Sequence, residues 1–396
     1  MKTPTVHLRP GREKSARHRH PWIFSGAVGR IDGPAGAGEL VAVRDADGDF
    51  VGWGHANPES RVAVRLVSWG EAPVPDDAWW RLRLASAIRC RGAAALDLAG
   101  GCRLVHGEAD GFPGLVIDRY GAYAVLQSHA PGMDRLKALV AGELLALPGI
   151  VGVHERSDPA MRRLEGLEPS GGTLAGEAPP DEVEIVEEGL RFGVGIGGGH
   201  KTGYYLDQRE NRSLVRRLAR GRRVLDCFSY TGGFAVAAGA GGAAALTLVD
   251  SSGEALAGAR ANLARNGLES VPAEFLDGDA FALLRKFRDA GRAFDLAVVD
   301  PPRLAPSRSH VERAARAYKD VNLWAMRLAA PGGLLVTFSC SQAVDEALFR
   351  EIVSWAALDA GREVRVLARL SQAADHPEGI HVPESRYLKG LVCHVS

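Results

Sequence analysis

The 396-residue sequence has no surplus of either charge: 48 Lys+Arg stand against 48 Asp+Glu, for a formal net charge of zero. It has no uninterrupted apolar run near the roughly 18 to 20 residues that cross a bilayer, which argues against a membrane-spanning helix. Its start, MKTPTVHLRPGREK, lacks the apolar centre of a secretory signal, so a cytoplasmic location is expected. Cysteine is scarce. The five, Cys90, Cys102, Cys227, Cys340 and Cys393, are an odd, scattered set with no CxxC pair and no histidine at ligand spacing. A disulfide framework and a metal site are therefore not expected, and each thiol is either a small buried apolar group or a reactive one. No repeat of solenoid length is present.

What remains is the composition of an ordinary globular protein, 46% hydrophobic and 24% charged. Its length suits about two or three domains. Zero net charge argues at first against a polyanionic partner, but the average hides a pattern. Residues 1–70 carry +3, residues 71–190 carry −8 and residues 191–396 carry +5. Within the first twenty residues Lys2, Arg9, Arg12, Lys14, Arg17 and Arg19 face a single Glu13. Such a cluster is either a solvated tail or a contact surface for an anion.

Residues 1–72 read as short β segments broken by the turn clusters Asp45-Ala46-Asp47-Gly48 and Asn57-Pro58, which predicts a small β-barrel or compact sheet. Residues 73–190 open with a helical pattern from Asp76. A strand pair carrying the turn signals Asp110-Gly111 and Pro113-Gly114 follows, then a helix, a strand and a loose acidic stretch, EGLEPSGGTLAGEAPPDEVEIVEEG. This predicts a central α+β domain. From residue 191 onward, strands such as RVLDCF, ALTLVD, AEFLDG, DLAVVD and LLVTFSC alternate with helical stretches. That pattern predicts an α/β domain with a doubly wound, mainly parallel sheet, whose ligands bind beyond the carboxyl ends of the strands.

Four of those strands finish at or beside an aspartate, Asp226, Asp250, Asp279 and Asp300, spaced by 24, 29 and 21 residues. One such residue is usually a helix N-cap. Four in successive units point to a shared ligand edge. The turn after Asp226, Cys227-Phe228-Ser229-Tyr230-Thr231-Gly232-Gly233, is not the GxGxxG of a pyrophosphate cradle and is rich in aromatics. It suits an adenosine with a cationic or zwitterionic tail, and S-adenosylmethionine fits. Asp250 would accept from both ribose hydroxyls and Asp279 from the adenine amino group, with Ala280 and Phe281 against the ring. A nucleotide-sugar or another Rossmann ligand is the alternative. Asp300-Pro301-Pro302-Arg303 is a stiff turn that holds a carboxylate at the pocket mouth or simply caps a helix. Cys340, in Thr337-Phe338-Ser339-Cys340-Ser341, ends its strand at the same edge. There it is either a buried strand residue or a nucleophile. Cys227 reads as packing.

At this point the chain resembles a known family: class I S-adenosylmethionine-dependent methyltransferases of cytosine C5 in 23S ribosomal RNA, with an N-terminal PUA domain. The resemblance covers nearly the whole length. It rests on His20-Pro21-Trp22-Ile23-Phe24-Ser25-Gly26, on the run from Gly107 to Tyr120 (GEADGFPGLVIDRY), on Lys201 to Arg212 (KTGYYLDQRENR), on the Asp226 turn, on Asp300-Pro301-Pro302-Arg303 and on Phe338-Ser339-Cys340-Ser341. It implies a PUA barrel, a central domain and a Rossmann-like methyltransferase domain, with large-subunit ribosomal RNA as partner and the oligomeric state open, a homodimer included. It also implies that Cys340 adds to C6 of a flipped-out base while Asp300 serves the N3 side. Asp226, Phe228, Tyr230, Gly232, Asp250, Asp279, Ala280 and Arg209 would hold the donor. Arg12, Lys14, Arg17, Arg19, Lys201 and Arg303 would meet RNA, with Trp22, Phe24 and Trp53 either on that surface or in the barrel core. For Arg209 the plain alternative is a capped helix beginning at Asp207. Relatives with two cysteines place a second one after Asp-Pro, where this chain has Arg303. The base that removes the C5 proton is thus unassigned, with His376 and Glu384 as candidates; a uracil C5 or another nucleobase product, another RNA, or an RNA-binding or assembly factor whose pocket holds the donor without turnover stays open.

Overall fold

In the computed structural model, which describes residues 3–94, 96–196 and 203–396, the short N-terminal apolar runs become β1 (Thr5–Leu8), β2 (Trp22–Phe24), β3 (Val28–Asp32), β4 (Leu40–Arg44), β5 (Phe50–Ala56) and β6 (Val62–Trp69), with one short helix, α1 (Lys14–Arg17). They form one sheet in the order β2-β6-β5-β4-β1-β3. Its alternating residues Val6, Leu8, Ile23, Val41, Val43, Val64 and Leu66 are buried together.

The central stretch folds as α2 (Asp77–Ala93), β7 (Gly101–His106), β8 (Leu115–Tyr120), β9 (Tyr123–Ser128), α3 (Pro131–Leu145), β10 (Gly152–Arg156), α4 (Pro159–Leu164) and β11 (Gly171–Gly176). Asp76 caps α2 by accepting from the Trp79 amide. Gly111 and Gly114, in the expected turns, take left-handed φ of 75° and 82°. The sheet order is β11-β10-β9-β8-β7. Strand β11 comes from the Gly-rich stretch read as loose, and pairs antiparallel with β10. Next come β12 (Glu182–Glu187) and β13 (Leu190–Gly195), a hairpin whose turn residues Glu188 and Gly189 both have positive φ.

The remaining elements are α5 (Arg209–Leu218), β14 (Arg223–Cys227), α6 (Gly233–Ala240), β15 (Ala245–Asp250), α7 (Gly253–Arg265), β16 (Ala273–Asp277), α8 (Ala280–Asp289), β17 (Phe294–Val299), α9 (Val311–Leu328), β18 (Ala329–Ser339), α10 (Glu346–Ala360), β19 (Val364–Ser371) and β20 (Lys389–Val395). The sheet order is β16-β15-β14-β17-β18-β20-β19. Neighbours from β16 to β18 are parallel, while β20 runs antiparallel to both β18 and β19. The order reverses between β14 and β17, which places the switch point where ligands of such sheets bind. Among the described residues no helix is long and apolar enough to cross a membrane. Cys227 and Cys393 are fully buried in the core of this sheet.

The chain divides into two compact units: Met1–Ile185 with Val194–Leu206 and Ala374–Ser385, and Val186–Gly193 with Asp207–Ala373 and Arg386–Ser396. The first two sheets thus share one unit, and a twelve-residue segment from late in the sequence joins them. Its Asp375 accepts from the Arg103 amide at 2.9 Å and, through its backbone carbonyl, from Arg91 at 2.9 Å. Its Glu384 meets His20 at 3.1 Å.

In the second unit α5 and α6 pack closely at Gly241, where an added Cβ would lie 2.0 Å from the Arg216 carbonyl oxygen. Gly241→Ala is predicted to destabilise the fold by about 1–3 kcal/mol through overpacking, read as a lower urea midpoint at unchanged m-value. An unchanged midpoint would contradict this packing.

Candidate active site

The turn after β14 is held in an unusual backbone conformation. Phe228 and Tyr230 have φ of 61° and 49°, and Gly232 has 76°. Positive φ is rare for bulky side chains, and such strain persists where the surroundings over-determine it. Here the Ser229 amide donates to the Val249 carbonyl at 3.0 Å, and the Tyr230 amide donates to Asp250 at 2.8 Å. A side chain at position 232 would collide with Ala259, 2.8 Å from its Cβ. The turn's aromatic ring Phe228 meets Phe281 edge-on at 6.1 Å.

Three of the four strand-end aspartates form one electrostatic cluster. Asp226 is buried; one carboxyl oxygen accepts from the Ala235 amide at 3.1 Å, and the other has no hydrogen-bond partner. Burial, then Asp300 and Asp250, holds its carboxyl well above the usual range. Asp250 spends both oxygens on the amides of Tyr230 and Ser252, at 2.8 and 3.0 Å. Asp300 accepts from the Gln208 side-chain amide at 2.9 Å. Burial and then Asp207 push Asp300 up to about 7. Asp279 differs: it is exposed and caps α8 by accepting from Ala282 at 2.8 Å, which is the ordinary role of a strand-end aspartate. Ala280 beside it is buried.

Cys340 follows β18 directly and is half-buried, with its sulfur 4.0 Å from the Pro301 carbonyl. Burial first, then Asp300 and Asp207, pushes its thiol up to about 12. The next residue anchors this turn. The Ser341 hydroxyl accepts from the Ala305 amide at 3.0 Å and pairs with the Tyr318 hydroxyl at 3.0 Å, while its carbonyl accepts from Lys389 at 2.7 Å.

The segment before α5 contributes residues that the sequence left without a role. Gln208, aimed at Asp300, is oriented by Asn211 at 2.6 Å, and Asp207 accepts from Tyr387 at 2.6 Å. A 3-10 turn over Leu206–Gln208 runs into helix α5 at Arg209, with Gln208 at the cap position and no side-chain cap, so the helical run expected from Asp207 forms without the cap. Arg209 instead lies 3.8 Å from Glu187, which Arg212 grips with two bonds of 2.7 and 2.6 Å. The location of Gln208 and Asp207 next to Arg209 was the available signal; Lys389 carried none, because an antiparallel strand brings it in.

Five of the six residues expected to meet RNA lie among the described residues. Arg12, Lys14, Arg17 and Arg19 are all exposed in the first unit, although Arg17 is bonded to Asp45. A groove of about 290 Å³ runs past Arg12, Ser15, Trp22 and Phe24. Phe24 is 52% exposed, Trp22 donates to Glu108 at 3.0 Å, and Trp53 packs on the core of the central sheet. Arg303 is exposed in the second unit. Lys201 lies outside the described residues. His376 and Glu384 both belong to the first unit, engaged by Asp375 at 2.8 Å and His20 at 3.1 Å.

Comparison with known proteins settles the family. Residues 166–391 match the model described as S-adenosylmethionine-dependent methyltransferase, and residues 6–69 match a PUA-like domain. The chain belongs to the S-adenosylmethionine-dependent methyltransferases. It is 45% identical over 393 residues to "Ribosomal RNA large subunit methyltransferase I" of Klebsiella pneumoniae (strain 342), covering 99% of this chain and 98% of that one. The protein of the same name from Photobacterium profundum is 45% identical over 396 residues, covering 99% of this chain and 100% of that one. A solved Streptococcus mutans structure assigned as a SAM-dependent methyltransferase superposes with a TM-score of 0.83 at 20% identity, over 99% and 100% of the two chains. Another, assigned as a methyltransferase and complexed with SAH, gives 0.85 at 21%, over 100% of both. These structures share the fold of this methyltransferase. Its cofactor is S-adenosylmethionine, and the pocket suits that ligand: a buried carboxyl oxygen of Asp226 without a partner, among mutually repelling carboxyls, favours a cationic guest.

Since Asp300 is the largest charge effect opposing ionisation of Cys340, Asp300→Asn is predicted to make the thiol more reactive. Iodoacetamide labelling of the Cys340 peptide at pH 8 should rise about tenfold, the effect of one pKa unit. An unchanged or slower rate would contradict this electrostatic picture.

Proposed function

We propose that this methyltransferase modifies C5 of a cytosine in 23S ribosomal RNA, with Cys340 as nucleophile. The observation that carries this reading is a half-buried thiol one residue past β18, coupled to the carboxyl one residue past β17. Cytosine C5 is a weak nucleophile, and a group adding to C6 makes it a strong one. The Cys340 thiol gives up its proton to solvent and its sulfur forms a bond to C6; the C5–C6 pair shifts toward C4 and the C4–N3 pair onto N3, where a proton meets it. Asp300, pushed up to about 7, holds such a proton at neutral pH. Once C5 carries the methyl group and the N3 proton has returned to Asp300, loss of the C5 proton to solvent restores the C5–C6 double bond as the C6–S bond breaks and Cys340 leaves as a thiolate. The bound cofactor supplies an electrophilic methyl carbon on a sulfonium.

Asp250 and Asp226, with the turn of Phe228, Tyr230 and Gly232, are the residues we assign to the donor, with Asp279, Ala280 and Arg209 at its margin. The strained turn and the unpartnered Asp226 oxygen support that assignment. The names of the relatives, the PUA-like match and the exposed Arg12, Arg17 and Arg19 beside Lys14 and Phe24 support ribosomal RNA as the substrate. Gln208 would hold the Asp300 carboxyl in line with the ring.

The test is incubation with labelled donor and large-subunit RNA, followed by nucleoside analysis. Labelled 5-methylcytidine is expected from the parent, and Cys340→Ala should lose transfer by at least about 1000-fold while binding the donor with unchanged affinity. Transfer retained by that variant, or label in another nucleoside, would overturn the reading.

A further inference from the structure

Lys389 is a buried cation that the reaction above does not use. It is 6% exposed and stands opposite Ser339 in the antiparallel pairing of β18 and β20. From there its side chain reaches two residues along the neighbouring strand to donate to the Ser341 carbonyl at 2.7 Å, spanning the position of Cys340. Among the described residues no carboxylate forms an ion pair with it, and its one side-chain hydrogen bond goes to a neutral carbonyl. An ammonium taken out of water costs free energy unless an anion meets it. Cys340 has the opposite deficit: its thiol is enclosed and faces the carboxyls of Asp300 and Asp207.

We propose that Lys389 is the counter-charge of Cys340, a positioning residue whose ammonium, anchored on the Ser341 carbonyl, stabilises the thiolate that attacks the base. This deepens the proposed reaction and rests on Cys340 as its nucleophile. The charges around the pair are Asp300, Asp207 and Arg303 on the side of Cys340 and Asp345, Arg386 and Arg303 on the side of Lys389, with the Tyr318 hydroxyl at the Ser341 side chain. Burial pushes Lys389 down to about 8, so the ammonium is present at neutral pH and is lost as pH rises through that value.

The experiment uses the full chain without RNA. Iodoacetamide alkylation of Cys340 is followed by peptide mass spectrometry between pH 6.5 and 9.5. The thiol proton leaves to buffer, a sulfur–carbon bond forms and iodide departs. In Lys389→Met the rate at pH 7.5 is expected to fall about tenfold and the profile to move up by about one unit, whereas Lys389→Arg keeps the parent profile. Lys389→Gln can keep the bond to Ser341 without the charge; it should behave as Met does, and it serves if the Met variant fails to fold. Exposed Cys90 is the reference for reagent, and continued protection of Cys227 and Cys393 reports an intact fold. A parent-like profile in the Met or Gln variant, or a loss in the Arg variant equal to that in Met, overturns the assignment. Methyl transfer retained by Cys340→Ala would instead remove the reaction and leave the alkylation result standing, so the two ideas fail separately.

Discussion

The second unit is organised around a repulsion. Parallel strands β14, β15 and β17 deliver Asp226, Asp250 and Asp300 to one edge of a sheet, and β18 delivers Cys340 beside them. Burial first, then the charge of neighbouring carboxyls, Asp207 included, raises Asp226, Asp300 and Cys340 above their ordinary ranges. An arrangement of that kind weakens the empty protein, and it persists because the neighbouring backbone holds it. The amides of Tyr230 and Ser252 occupy Asp250, the Ala235 amide occupies one oxygen of Asp226, and Gln208 fixes Asp300. A cationic guest relieves the repulsion, which is what the donor of this family brings.

The same constraint explains the strained turn and the anchored thiol. Two bulky residues adopt positive φ after β14 because the β15 carbonyl and carboxylate pull the neighbouring amides into place. Ser341, tied to the Ala305 amide, Tyr318 and Lys389, keeps Cys340 from drifting out of line. The first unit is built differently. Its two sheets share the returning Ala374–Ser385 segment, and its exposed cations lie around α1 beside a solvent-facing phenylalanine.

Much of this was readable from the amino acids, for identifiable reasons. The alternation of strand and helix from residue 207 to 339 repeats a clear change of period, and the strand-end aspartates fall at the carboxyl ends of the strands, where ligands of such sheets bind. Cys340 was legible from the same placement. Asp279 carries the same signal and also caps its helix, by accepting from the Ala282 amide. Lys389 was not legible, because it arrives on an antiparallel strand inserted into a parallel sheet, and Gln208 was marked only by its place next to Arg209. The Arg209 reading was drawn from its position before the donor turn; Glu187, on a hairpin with no evident tie to that turn, shares it with Arg212. Nor did the irregular sequence around Asp375 and His376 signal that it joins the first unit.

The proposed reaction passes through a bond between Cys340 and C6 of a cytosine. An RNA fragment of the large subunit carrying 5-fluorocytidine tests it directly, since fluorine at C5 cannot leave as a proton does and the adduct cannot resolve. With donor present, a denaturation-stable protein–RNA complex should form, and mass spectrometry should place one methylated nucleotide adduct on the Cys340 peptide. Methyl transfer to the normal RNA without any trapped complex, or a complex attached to a different residue, would contradict the account.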